Sequence, residues 1–155
     1  MENKFMQRAI DLSIENVKNK IGGPFGAVIV KDDVIIAEGT NLVTSTNDPT
    51  AHAEIVTIRN ACNALNNFHI PGCVMYTSCE PCPMCLAACY WAHIDKIYYG
   101  NTKQDAANID FDDSFIYDEL AIAHEQRKIP MINFMRDTAI EAFNLWREHE
   151  EKVEY

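Results

Sequence analysis

Two short polar motifs, about thirty residues apart, most tightly constrain what this chain can fold into. The first contains His52 and Glu54, and the second contains Cys82 and Cys85 in the run Pro81-Cys82-Pro83-Met84-Cys85. One imidazole and two thiolates are ligands that zinc prefers, and a catalytic zinc takes three protein ligands and leaves the fourth position for water. The fold must therefore bring two segments that are distant in the sequence to one point.

The neighbours of these side chains predict that both motifs lie at helix starts. Proline disfavours helical dihedral angles in the residue before it, so Cys82 is expected to cap a helix whose first turn contains Cys85. The unpaired amides at such a helix start stabilise thiolates. His52 and Glu54 are two residues apart, which normally separates side chains around a helix. In a first turn, however, a site beyond the helix end can receive both.

This combination predicts a zinc ion held by His52, Cys82 and Cys85, with Glu54 moving protons beside it. Zinc makes a bound water acidic near neutral pH, and a neighbouring carboxylate can carry the released proton to a ring and a leaving amine. The pattern H-x-E followed by P-C-x-x-C is typical of zinc nucleobase deaminases. A lone His-x-Glu at a helix start is usually not catalytic, and a lone C-x-x-C serves either metal or redox chemistry. Only their combination predicts a deaminase.

The cysteines also permit a different class of protein. An iron–sulfur electron carrier would match the C-x2-C-x2-C-x3-C spacing of Cys79, Cys82, Cys85 and Cys89. Against it, Tyr90 stands where such a run usually continues with proline, and the chain has no second cysteine run. Residues 84–91 also predict a continuous buried helix. Cys79 and Cys89 are then core cysteines, as are Cys62 and Cys73.

Size and charge narrow the class of partner. A chain of 155 residues suits a single domain spanning 1–155. Its 13 basic and 23 acidic residues give a net charge of −10, which argues against nucleic acid and against anionic membrane surfaces. No run of about 18 apolar residues is present, and the N-terminus does not resemble a signal peptide. A cytoplasmic location and a small uncharged substrate are therefore expected.

Apolar periodicity and chain breakers predict an α/β fold. Phe5, Ala9, Leu12 and Val17 predict an amphipathic first helix, and residues 27–30 and 34–37 predict a β-hairpin. Further helices are expected from a cap at 47–50 to about Ala64, from 82 to 91, from about Ser114, and from Asp137. Further strands are expected at 73–77, 96–99 and 129–135. Together these predict a mixed five-stranded sheet covered by helices on both faces.

Longer stretches resemble the small bacterial guanine deaminases of the cytidine/deoxycytidylate deaminase superfamily. The matching segments are Ile21–Asp32, Asn47–Glu54, Tyr76–Cys85, Phe111–Tyr117 and Glu154-Tyr155. The likeness covers most of the chain and is weaker over residues 60–72 and 118–146. The first motifs are shared with related deaminases, whereas FDDSFIY and the terminal tyrosine discriminate more. The resemblance implies a cytidine-deaminase-like three-layer α/β/α fold.

The resemblance also implies how guanine would be bound and hydrolysed. The implied substrate-binding residues are Asn41, Phe25, Ala53, Trp91, Asp113 and Tyr155. Asp113 would contact the 2-amino side and assist proton transfer, and its choice over Asp112 rests on the resemblance alone. Activated water would attack C2, Glu54 would protonate a ring nitrogen, and ammonia would leave to give xanthine.

Without the resemblance, the residues assigned to substrate binding could have purely structural roles. Phe25 and Trp91 could be core aromatics, and Asn41 could be a turn residue after a strand. Asp112 or Asp113 could cap the helix that begins at Ser114.

The resemblance further implies a homodimer in which the segment from about 137 to 155 crosses to the partner, with Trp146 and Tyr155 near its site. A solvated helix end is the plainer alternative for Tyr155. Rival activities are those of a guanosine deaminase, a tRNA adenosine deaminase, or an enzyme acting on cytosine or cytidine. A non-catalytic structural zinc module is the remaining alternative. The net charge of −10 counts against the RNA substrate.

Overall fold

A computed structural model describes residues 3–154 of the chain. Its elements in chain order are α1 (Asn3–Lys18), β1 (Gly26–Lys31), β2 (Val34–Thr40), α2 (Val43–Thr46), α3 (Ala53–Leu65), β3 (Val74–Cys79), α4 (Pro83–Trp91), β4 (Lys96–Asn101), α5 (Lys103–Ala107), α6 (Ser114–Ala121), a 3-10 turn (His124–Gln126) and α7 (Arg136–Glu148). Two structural units divide between Asp113 and Ser114. Among the described residues, no helix is long and apolar enough to cross a membrane.

The first unit is built on a mixed sheet with strand order β2-β1-β3-β4. Strand β1 pairs antiparallel with both β2 and β3, whereas β3 and β4 are parallel. The hairpin between β1 and β2 turns at Asp32 and Asp33, whose φ angles of 49° and 59° are those of a tight turn that follows the twist of its strands. The α/β class and the mixed sheet are confirmed.

The prediction of five strands is wrong, because the segment 129–135 forms no strand in the described structure. Pro130 has no N–H to give to a ladder. Met131 instead donates its amide to the carbonyl of His124 at 3.3 Å, which closes a local turn. Ile129 and Ile132 are 81% and 82% exposed, so neither covers a sheet face. High apolar content, and not strict alternation, produced the strand prediction.

Side chains that alternate along the strands form two separate cores, one on each face of the sheet. Helix α1 covers one face, where the buried side chains are Phe5, Ala9, Leu12, Val28, Val30 and Tyr76. Helices α3 and α4 cover the other, where the cluster includes Ile29, Ala37, Ile58, Ala61, Met75 and Cys89. Within β1, Ile29 thus faces opposite to its neighbours Val28 and Val30, as the period of two requires. The first unit therefore has three layers, α/β/α.

The last buried residue of α1 is not the predicted Val17. Val17 is half exposed, and the position one turn beyond Leu12 on the buried face belongs to Asn16. A polar side chain therefore occupies the last buried position of this helix.

The second unit contains α6, the 3-10 turn and α7, and the helical tail predicted from Asp137 is confirmed. The Arg127 guanidinium donates to the carbonyls of Leu120 at 3.4 Å and Ile122 at 3.3 Å, which satisfies the last turn of α6. The Lys128 amide donates to the Glu119 carboxylate at 2.7 Å. Hydrogen bonds, and not a buried core, thus define the turn after α6.

Candidate active site and metal centre

His52 is the residue that begins helix α3. It has extended dihedral angles (φ −66°, ψ 155°), and the helix starts at Ala53 with Glu54 in its first turn. The helix therefore begins later than the predicted cap at residues 47–50. Asp48 instead closes a turn by accepting from the amide of Thr50 at 2.8 Å. This turn leaves His52 and Glu54 together at the helix end.

Cys82 occupies the equivalent position in α4. Its dihedral angles are extended (φ −65°, ψ 168°), Pro83 is the first helical residue, and Cys85 lies in the first turn. The predicted arrangement of these cysteines at the helix start is confirmed. Because α3 and α4 cover the same face of the sheet, their starting residues can meet.

The three side chains converge on one point. His52 Nδ1 lies 3.6 Å from Cys82 Sγ and 3.5 Å from Cys85 Sγ. A tetrahedral zinc bonded at about 2.0–2.1 Å to nitrogen and about 2.3 Å to sulfur separates such ligand atoms by about 3.6 Å. No other group of three His, Cys, Asp or Glu side chains within residues 3–154 comes together this closely. The donor set and its spacing therefore fit zinc.

Electrostatics at this point favour a thiolate. A hydrogen bond from the Cys85 thiol, together with His52, lowers the pKa of Cys82 to about 4. The bond it donates to Cys82 and its own burial raise the pKa of Cys85. The hydrogen bond with Cys82 raises the pKa of His52. Cys82 is thus already a thiolate, which is the form of cysteine that binds a metal cation.

Glu54 lies beside the three ligands and is only 6% exposed. Burial raises the pKa of its carboxyl. Thr77 Oγ1 donates to Oε1 at 3.4 Å, and Cys85 Sγ lies 3.5 Å from Oε2. A carboxyl held in place beside a metal site can accept a proton from bound water and return it to a substrate.

Cys79 and Cys89 lie outside the ligand group. Cys79 Sγ donates to the Thr102 carbonyl at 3.7 Å, and Cys89 Sγ contacts Met75 Sδ at 3.8 Å. Burial raises the pKa of Cys79 to about 11 and that of Cys89 to about 12, so both stay neutral thiols. Neither sulfur belongs to the group of ligand atoms formed by His52, Cys82 and Cys85, so the structure does not bring the four cysteines to one point, and this argues against the iron–sulfur interpretation.

The sequence profile of the cytidine and deoxycytidylate deaminase zinc-binding region matches residues 1–101. The chain belongs to the cytidine and deoxycytidylate deaminase family. It is thus a member of a zinc-binding deaminase family, and His52, Cys82 and Cys85 are positioned to hold the ion.

Two guanine deaminases are similar to this chain. The guanine deaminase of Bacillus subtilis (strain 168) is 51% identical over 151 residues, which cover 97% of each chain. The crystal structure of guanine deaminase from Bacillus subtilis superposes with a TM-score of 0.97 over 100% of this chain and 99% of that one. Guanine deaminase from Nitrosomonas europaea superposes with a TM-score of 0.67 at 31% identity, over 70% and 63% of the two chains.

A second group within the deaminase family matches over a shorter span. The tRNA-specific adenosine deaminase of Agrobacterium fabrum is 49% identical over 77 residues, which are 50% of this chain and 51% of that protein. Other tRNA-specific adenosine deaminases match up to 64% of this chain, so the likeness to this group covers about half to two thirds of it.

The residues that the resemblance assigned to substrate are found in unequal settings. Asn41 is buried and accepts on Oδ1 from the amides of Gly23 and Val43, at 3.4 and 3.3 Å. Ala53 is buried directly after His52. Trp91, the last residue of α4, is 65% exposed, which rules out its alternative role as a core aromatic.

The remaining predicted residues are the aspartates and the terminal tyrosine. Asp113 is half-buried, whereas Asp112 is exposed. Burial first, and then the negative charge of Cys82, raise the pKa of Asp113, so this carboxyl lies within electrostatic range of the ligand group. Tyr155 lies outside the described residues.

Two residues near the site had no role in the sequence interpretation. Thr77 donates a hydrogen bond to Glu54. Thr77 lies two residues after the buried Met75 on the same strand, so strand alternation could have predicted that both side chains point to the same face of the sheet. Phe111 packs edge-on against Phe25 with ring centroids 5.0 Å apart. Phe111 is the first residue of the FDDSFIY segment, which could have drawn attention to it. No sequence rule, however, predicts contact between two aromatic residues that are so distant in the chain.

Proposed function

We propose that the protein hydrolyses guanine to xanthine and ammonia, with zinc held by His52, Cys82 and Cys85 and with Glu54 as the proton shuttle. The observation that carries the proposal is a likeness to guanine deaminases that extends over the whole chain, joined to a site with the ligands of a catalytic zinc. Matches to tRNA-specific adenosine deaminases cover between 49% and 64% of the chain, whereas the match to the guanine deaminase of Bacillus subtilis covers 97%. The greater extent of the second likeness favours guanine over RNA as the substrate.

The chemistry assigned to the chain's own residues is proton transfer and positioning. Bound zinc lowers the pKa of water towards about 7, which supplies a nucleophile at neutral pH. As the water oxygen bonds to C2, Glu54 takes up a proton and passes it to the adjacent ring nitrogen. The second water proton goes to the exocyclic nitrogen, whose bond to C2 breaks, so that ammonia leaves and the C2 carbonyl of xanthine remains.

Substrate binding would fall to residues around this cluster. The Oδ1 atom of Asn41 is engaged by two backbone amides, which leaves its Nδ2 group to donate to acceptors on the purine. The rings of Phe25 and Trp91 would flank the purine plane. Asp113, whose pKa is raised in part by the charge of Cys82, would bind the 2-amino group of guanine. Ala53 would contribute backbone beside the ring, and Tyr155 would act from the end of the chain.

We also propose a homodimer in which the segment from about 137 to 155 is exchanged. Between residues 114 and 154 no side chain is fully buried. The large exposed apolar side chains there include Phe115, Leu120, Ile129, Ile132, Phe134, Phe143, Leu145 and Trp146. An apolar surface of this extent marks a protein interface, and a second copy of the chain supplies a matching one.

A cytoplasmic location accompanies this proposal. All six cysteines are free thiols, which suits a reducing compartment.

The decisive experiment is an ammonia-release screen of the zinc-loaded protein. It compares guanine, guanosine, adenine, cytosine, cytidine and a tRNA transcript, and it identifies xanthine by chromatography. We expect guanine to give the highest kcat/KM by at least about a hundredfold, a discrimination typical of a site built to pair with the substrate's polar groups. Preference for guanosine would indicate a pocket that admits ribose, and preference for tRNA would overturn the proposal.

The Glu54→Gln variant serves as the blank for this screen. It keeps the three ligands but cannot shuttle protons, so turnover should fall by about 10²–10⁴ while zinc remains bound. Unchanged turnover in this variant would reduce Glu54 to a structural role. Glu15→Gln, on the exposed side of α1, is the matched control and should behave as the wild type.

A further inference from the structure

We propose that Asn16, on helix α1, is a positioning residue that holds Asn41 and Phe25 in place for the purine. The inference rests on the proposed function for the roles of Asn41 and Phe25. Asn16 itself does not belong to the metal cluster, and neither motif that predicted the deaminase includes it.

The first observation is the burial of Asn16. It is 1% exposed and stands at the end of the apolar stripe of α1, where a Leu or Val would be expected. Its Oδ1 is buried with no hydrogen-bond partner among the described residues. An unpaired buried carbonyl destabilises a fold, so the amide must contribute through its other end.

That other end makes two hydrogen bonds across long stretches of sequence. Asn16 Nδ2 donates to the carbonyl of Gly23 at 2.8 Å and to the carbonyl of Asn41 at 2.9 Å. Two donors on one nitrogen are a property of Asn and Gln amides, and Ser and Thr carry only one. The side chain therefore joins two loops just beyond the pair Gly26–Thr40, where the ladder between β1 and β2 ends.

These two loops, residues 21–25 and 41–43, are linked further by their own backbones. The Phe25 amide donates to the Gly23 carbonyl at 2.9 Å, and the Asn41 amide donates to the Phe25 carbonyl at 3.1 Å. With the two bonds from Asn16 they form a closed ring of hydrogen bonds. Both residues assigned to the purine are members of this ring, so displacing Asn16 displaces both.

A glycine shows how closely the two loops approach. A Cβ atom on Gly22 would lie 2.1 Å from the carbonyl oxygen of Asn41, so a larger residue there must shift the backbone of Asn41. The same carbonyl is the one that Asn16 binds. The absence of a side chain at Gly22 thus leaves room for the carbonyl that Asn16 binds.

The test uses Asn16→Leu, a substitution of similar size that removes both donors and also the unpaired Oδ1. Positioning predicts that KM for guanine rises about tenfold, kcat changes by less than about threefold, and zinc stays bound. Gly22→Ala moves the same carbonyl from the loop side and should raise KM in the same way. The matched control is Ser13→Ala, which removes the other buried polar contact of α1, to Ile10, and should leave KM unchanged.

Hydrogen exchange supplies a readout that is independent of activity. In Asn16→Leu the amides of residues 21–25 and 41–43 should exchange faster, while β1 and β3 keep their protection. If the wild type lacks guanine activity, the proposed function fails and this exchange pattern still tests the positioning role. Folded Asn16→Leu protein with wild-type KM and exchange would overturn the inference. Loss of the folded protein in this variant would make Asn16 a residue of global stability and would overturn it as well.

Discussion

Cys82 and Cys89 show how the environment of a residue decides its chemistry. Cys82 caps the short helix α4 and Cys89 lies within it, and both belong to the spacing that suggested an iron–sulfur protein. A hydrogen bond from Cys85 lowers the pKa of Cys82, whereas burial raises that of Cys89. Sequence spacing cannot distinguish them, because it does not record which thiol faces His52.

The metal content of two cysteine variants tests this difference. Cys82→Ala removes one of three ligands, and we expect zinc to fall from about one per chain to below about a tenth. Cys89→Ala removes a neutral core thiol, so it should keep about one zinc per chain and lose only some stability. Elemental analysis after dialysis measures both. Equal metal loss in the two variants, or iron in place of zinc, would revive the cluster interpretation.

The choice between Asp112 and Asp113 is a second question at the scale of residues. Asp113 is half-buried and its carboxyl senses Cys82, whereas Asp112 is exposed. We therefore expect Asp113→Ala to lower kcat/KM for guanine by about a hundredfold with zinc retained. Asp112→Ala is the matched control and should stay within about threefold of the wild type. The reverse order in steady-state kinetics would move the role to Asp112.

Among the elements, helix α1 is tied to the sheet by charge as well as by apolar packing. The Arg8 guanidinium donates through Nε and Nη2 to the two carboxylate oxygens of Glu38 on β2, at 2.8 and 2.7 Å. Such a two-pronged pair has fixed geometry, unlike the single 3.5 Å contact of Arg8 with Glu15. The pair therefore fixes the helix across the hairpin strand.

The pH dependence of stability tests this pair. Its hydrogen bond with Arg8 lowers the pKa of Glu38 below its ordinary 4.5, so the stabilisation is present above that pH. It is lost as the pH falls below 4.5 and through the lower pKa of the folded state. Glu38→Gln should reduce the free energy of unfolding by about 0.5–1 kcal/mol at pH 7, and the difference should shrink as the pH falls below 4.5. Urea unfolding measures it, with Glu15→Gln as the weaker control, and a difference that grows as the pH falls below 4.5 would contradict it.

The elements also show where sequence patterns suffice. The strands at 26–31, 34–40, 74–79 and 96–101 could be predicted because apolar side chains cluster between clear breakers. The start of α4 could be predicted from local chemistry because Pro83 fixes it, whereas the cap predicted at 47–50 placed the start of α3 too early. The rest depends on long-range contacts. The partners of Asn16 and Phe111 lie far away in sequence, and no local pattern names them.

At the scale of the whole molecule, the two units differ in how they hold apolar side chains. The unit that ends at Asp113 buries a core on each face of its sheet. Residues 114–154 carry many large apolar side chains and bury none of them fully. The strand wrongly predicted at 129–135 belongs to this exposed surface, because Ile129, Ile132 and Phe134 are 81%, 82% and 82% exposed. A net charge of −10 does not prevent such association at physiological salt, where charges beyond about 8 Å are screened.

The state of association follows from this surface. Phe134 is one of its most exposed members, so Phe134→Asp should desolvate a charge in the proposed interface and shift the dimer towards monomer by at least about tenfold in Kd. Val34→Asp places the same charge on an exposed apolar residue at the hairpin turn of the first unit, and it should leave the association unchanged. Light scattering after size-exclusion chromatography separates one chain mass from two. If the tail completes the partner's site, the monomeric variant also loses guanine turnover while it keeps zinc. A monomeric wild type with full activity would show that the apolar surface of the second unit serves another partner.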